Sequence, residues 1–119
     1  PETLIDPIAP ERLRAHAAAA LRHWAAAFVD RGEDLGSRGY QSYVVLSVCR
    51  AAHTLASGRI ASKRASAVAF LAGEGEAWQP LIARAWISRH HPHGPTDPDA
   101  AAATRALLTW ARERLPATA

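Results

Sequence analysis

The 119-residue sequence contains no methionine and only one cysteine, Cys49, so an internal disulfide is excluded. No cysteine and histidine spacing resembles a zinc finger, and a reducing cytoplasm is the expected compartment. With methionine missing and Pro1 at the start, we expect either a piece of a longer protein or an initiator removed ahead of a small residue. Long hydrophobic runs are also missing. The stretches Ala15 to Ala27 and Ala65 to Ala72 are alanine-rich, interrupted or short, whereas a membrane span needs roughly 20 continuous apolar residues. No signal peptide is visible, and membrane insertion is not expected. Charge of one sign is scarce too: 14 Lys and Arg face 11 Asp and Glu, for a net +3 with histidine neutral. That balance is too mild to point to nucleic acid. Strand signals are nearly absent, because β-branched and aromatic residues alternate with polar ones for only a few positions at a time.

Helical periodicity fills the gap. Leu13, Ala17, Leu21, Trp24 and Phe28 recur at intervals of three and four, with Pro10 suited to a first turn, and predict a helix over 10–30. Gly32, Gly36, Ser37 and Gly39 punctuate a loop that carries Asp30, Arg31, Glu33 and Asp34. A central helix follows, with Tyr40, Val44, Val48, Ala51 and Leu55 on one apolar face, widened by Tyr43, Val45, Leu46 and Cys49, and Gly58 as its left-handed cap. Ser62 is placed to cap a third helix that Gly73 and Gly75 end. A fourth opens at Trp78 and Pro80, buries Leu81, Ile82, Ala85 and Trp86, and stops near His91. After a Pro- and Gly-broken loop over 90–95, Asp97, Pro98 and Asp99 start a last helix, with Ala103, Leu107, Leu108, Ala111 and Leu115 inward and Pro116 beyond. Short connections predict one domain over 1–119: an all-α, five-helix up-and-down bundle of antiparallel neighbours.

No nucleophile with a locally spaced base, no Walker-type phosphate loop and no HExxH sequence occurs, so no complete active site is expected in this chain. His90, His91 and His93 offer imidazoles to a metal, but adjacent histidines in a proline-rich loop diverge, and no metal site is expected. Cys49 lies on the broad apolar face of the central helix, where a small buried thiol is the expectation. Arg50 on the central helix and Lys63 at the start of the next could converge on one anion beside a helix dipole, a phosphate being the natural guess; as surface residues they would simply extend into water. Trp24 is either a core indole or a platform for a polycationic sugar, whose amino or guanidino groups Asp30, Glu33 or Asp34 would pair.

The stretch running from Tyr40 through Arg50 and Gly58 to Ser62 and Lys63 resembles the C-terminal helical domain of the streptomycin and spectinomycin adenylyltransferases, the aminoglycoside nucleotidyltransferase family. The resemblance starts at Leu4, Ile5, Asp6 and Pro7 and continues through Trp24, Trp78, Pro80 and Ile82 to the last helix. It implies a missing N-terminal nucleotidyltransferase domain, in which a Gly-Ser turn and paired aspartates hold magnesium and a glutamate serves as base. It also implies that Arg50 and Lys63 face the ATP phosphates and that Trp24 faces the drug. Two positions depart from the family's pattern. The acidic position five residues after the tryptophan is Val29, so either Asp30, Glu33 or Asp34 supplies the carboxylate or the drug range differs, and the ATP-side aromatic falls at Arg89, which could approach a phosphate but not stack in the same way. Two rival expectations are a stand-alone, non-catalytic binding module and a helical ribonuclease of the HEPN class, whose arginine and histidine motif Arg84 and His90 match in spacing.

Overall fold

The computed structural model describes residues 8–91 and 93–115. The segment Leu4 to Pro7 and the stop expected at Pro116 lie outside the described residues. Five α-helices form: α1 (Pro10–Ala25), α2 (Arg38–Ser57), α3 (Lys63–Ala72), α4 (Gln79–Ser88) and α5 (Pro98–Arg114), with a π-helical turn over Ala26–Asp30 and a 3₁₀ turn over Glu76–Trp78. The expected all-α bundle is therefore present. Its axis is α2, which packs against each of the other four helices. Val44, Val45, Leu46, Val48 and Cys49 are all at most 1% exposed, so burial overrides the modest helix propensity of three valines. Leu21 and Phe28 from the first helix, Phe70, Ile82, Leu107 and Leu108 complete the core.

The ends of the helices follow from single residues. Ser37, Ser62 and Asp97 cap α2, α3 and α5 by accepting from the amides of Tyr40, Ala65 and Ala100. Gly58 ends α2 at φ 72°, where a side chain would be strained and its Cβ would meet Pro10 at 2.8 Å. The expected helix over 10–30 is continuous, but its last turn widens: Arg31 N–H donates to the Ala26 carbonyl at 3.0 Å and Glu33 N–H to that of Ala27 at 2.9 Å.

Three expectations need correction. Tyr40 and Tyr43 belong to no buried face; they are 43% and 47% exposed, because the edge of α2 that carries them lies against the rings of Phe28 and Trp24 at the bundle surface. Helix α4 ends at Ser88 rather than near His91. There the chain tightens, with His90 N–H on the Ile87 carbonyl and His91 N–H on that of Ser88. Helix α3 does not double back along α2 as an antiparallel neighbour. Lys63 at its start reaches Tyr43 near the start of α2, while Phe70 and Gly73 at its end line a cavity with Ala52, His53 and Ala56 near the end of α2. The physical reason is the connection over 58–62, five residues that can span about 15 Å and carry the chain back along α2 before α3 begins.

One polar contact crosses the core unforeseen. Gln41 on α2 donates through Nε2 to Thr104 Oγ1 on α5 at 2.7 Å, and Thr104 donates in turn to the Ala100 carbonyl at 2.7 Å, so two buried side chains are satisfied together.

Candidate functional site

Residues at intervals of three and four share one face of a helix, and on α2 Tyr43, Ser47, Arg50 and Thr54 form such a row. Ser47, Arg50 and Thr54 face Leu13, His16, Ala17, Ala20 and Trp24 of α1 across a groove of about 270 Å³, with Ile60 also lining it. The small side chains of Ala17, Ala20 and Ser47 leave this space open; Trp24 and Arg50 give it character. The sequence places these two residues 26 positions apart. The fold puts them in the same groove.

Arg50 is half-buried, and its guanidinium makes no hydrogen bond or ion pair with another described residue. Several arginines elsewhere are committed: Arg14 Nε to the Leu55 carbonyl at 3.1 Å, Arg105 Nε to that of Phe28 at 3.0 Å, and Arg112 Nη1 to Asp30 at 2.7 Å. Lys63, the first residue of α3, is exposed and also lacks an ion pair among the described residues. Its ammonium sits 5.8 Å from the centroid of the Tyr43 ring, and that ring meets Trp24 edge-on at 6.3 Å and 89°. Trp24, Tyr43 and Lys63 thus form a contiguous chain of contacts beside Arg50. Tyr43, Ser47 and His16 were missed from sequence, although the row that Tyr43 shares with Arg50 is visible there.

The acidic residues do not join this groove. Asp30 pairs with Arg112 on α5, Glu33 Oε2 lies 2.6 Å from Arg31 Nε, and Asp34 Oδ1 accepts from the Gly36 amide at 2.7 Å in a local turn. Arg89 is also elsewhere. Its guanidinium stacks on the Trp86 indole with 3.4 Å to the ring centroid and bonds the Trp86 carbonyl oxygen. Trp86 in turn lines a separate apolar groove with Arg64, Val68 and Leu71.

Arg84, the arginine of the ribonuclease-like spacing, is held by Asp97 at 3.1 Å, whereas His90 sits in the turn after α4. Among the described residues no three His, Cys, Asp or Glu side chains gather where they could hold a metal ion, His90, His91 and His93 included. Cys49 is fully buried, and burial pushes its thiol up to about 12, so it stays protonated and unreactive near neutrality.

The contact with Arg84, and then the Ala100 amide, holds the Asp97 carboxyl below its ordinary value of 3.8. A carboxylate favoured by the folded state stabilises it above the unfolded pKa and loses that contribution as pH falls through the folded one. Asp97→Asn keeps a capping oxygen but no charge. It should be less stable than the parent at neutral pH, and the gap between their urea midpoints should close as pH drops below 3.8. A gap independent of pH would mean that the Arg84 contact contributes nothing.

In class, the chain is an all-α domain that displays, beside its central helix, a groove lined by Arg50, Trp24 and mostly small or apolar side chains. Over residues 3–109 it matches the family described as aminoglycoside adenylyltransferase, C-terminal domain, and it belongs to that family. No curated protein and no solved structure matches it. No helix among the described residues is long and apolar enough to cross a membrane.

Proposed function

We propose that this domain contacts both substrates of an aminoglycoside O-nucleotidyltransferase, which transfers AMP from ATP to a drug hydroxyl, releases pyrophosphate and so confers antibiotic resistance in the cytoplasm. Arg50 and Lys63 face the ATP phosphates, and Trp24 faces an aminoglycoside of the streptomycin or spectinomycin type. The observation that carries this reading is the groove itself: Trp24 and Arg50 line it together, and Lys63 is tied to it through Tyr43. A half-buried cation without a carboxylate partner is costly to maintain, and an anionic ligand offsets that cost. The described residues form no metal-binding set. On this reading the magnesium that accompanies ATP is held by the carboxylates of an N-terminal nucleotidyltransferase domain, and the helical domain alone is inactive. Their share of catalysis is charge compensation and positioning.

The test uses the protein made from the complete reading frame, incubated with ATP, magnesium and streptomycin or spectinomycin. Pyrophosphate release with a drug heavier by one adenylyl group supports the reading. Drug binding without transfer would make the chain a non-catalytic binding module, and RNA cleavage lost in His90→Ala would make it a ribonuclease.

A further inference from the structure

Among the described residues, Tyr43 is the one ring that touches both ends of the proposed site. It is 47% exposed, so burial does not dictate where it sits. Trp24 meets it edge-to-face at 6.3 Å, Tyr40 lies 5.9 Å away, and the Lys63 ammonium stands 5.8 Å from its centroid. Its hydroxyl makes no hydrogen bond to a described residue, which leaves the ring face and edge as the working surfaces. Lys63 has four rotatable bonds and no carboxylate partner among the described residues. The quadrupole of the Tyr43 ring is then the attraction that restricts its ammonium.

We propose that Tyr43 is a positioning residue that holds the Lys63 ammonium and the Trp24 indole in fixed relation, so that the phosphate side and the drug side of the groove are organised through one aromatic ring. This rests on the assignment of Lys63 to ATP and Trp24 to drug. Removing the ring frees Lys63 to sample rotamers that ATP must then order, and it takes the edge partner from Trp24. Removing the hydroxyl alone changes neither contact.

Steady-state kinetics of the complete adenylyltransferase distinguish this role from a merely structural one. Tyr43→Ala should raise KM for ATP about two- to fivefold, the size of an exposed cation–π contact, and should raise KM for the drug as well. Tyr43→Phe should match the parent on both. In a Lys63→Ala background, Tyr43→Ala should add nothing to KM for ATP while still raising KM for the drug, since a shared interaction can be lost only once. Tyr43→Phe as damaging as Tyr43→Ala, or additive effects of Tyr43→Ala and Lys63→Ala on ATP, would overturn the coupling and leave the substrate assignment standing. Lys63→Ala without effect on ATP would overturn that assignment, and the coupling with it.

Discussion

If Arg50 and Lys63 face the ATP phosphates as proposed, alanine at either should lower turnover of the complete adenylyltransferase by about ten- to a thousandfold, the range expected when one cation leaves a preorganised phosphate clamp. The two positions differ in a way that orders the outcomes. A unit charge about 4 Å from another is worth roughly 4 kcal/mol at the effective dielectric of a protein surface but about 1 kcal/mol in bulk water. Arg50 is half-buried and lines the groove, whereas Lys63 is exposed at the head of α3. Arg50→Ala therefore falls toward the larger loss and Lys63→Ala toward the smaller. The Lys63 effect should also shrink as salt is raised, because solvent-exposed pairs are screened. Initial rates at subsaturating ATP, measured at low and high salt, check both statements. Unchanged turnover in both variants removes the phosphate assignment.

Leu46→Ala should destabilise the domain by about 2–5 kcal/mol, the span observed when a buried leucine is cut back to alanine. Leu46 is 1% exposed, on a helix that touches all four others, and its neighbours along the chain Val44, Val45 and Val48 are fully buried. Few side chains are free to collapse into the space it leaves, which favours the upper part of the range. Since whole domains are stable by only about 5–15 kcal/mol, one such change consumes a large share. The urea midpoint should drop without a change in slope. Val68→Ala, at a position 60% exposed, is the control and should stay within about 0.5 kcal/mol of the parent. Equal losses at the two positions would contradict the core described above.

The helices were legible because their signals are local: an apolar residue every three or four positions, Ser62 and Asp97 one step before the starts of α3 and α5, Gly58 one step after the end of α2. The buried row Val44, Val45, Leu46, Val48 and Cys49 follows from composition alone. Pairing between segments was not legible in the same way. The five residues over 58–62 fit a tight reversal as well as an extended return, and only packing decides between them. Tyr40 and Tyr43 have apolar bodies and polar tips, so periodicity assigned them inward while the rim of the bundle holds them outward. In the site, Arg50, Lys63 and Trp24 were singled out by type and spacing, and the fold places Trp24 and Arg50 in one groove. The acidic loop was singled out by proximity in sequence to Trp24. Its carboxylates are instead taken by Arg112, Arg31 and the Gly36 amide, partners that spacing from Trp24 does not reveal.

The π-helical turn over Ala26–Asp30 is a point where chain length can change without loss of register. A wide turn holds about one residue more than an α-helical turn, so deleting a single residue there lets the helix close normally while the residues on either side keep their phase. In an ordinary turn of α1 the same deletion rotates everything beyond it by about 100°. That would take Phe28 out of the core and Arg105 away from its docking point on the Phe28 and Glu33 carbonyls. A few residues later, Gly32 has open space around it, and a residue gained or lost there shifts only the path of the loop. Related chains should therefore vary in length at this turn and after Arg31, and hardly at all within α1.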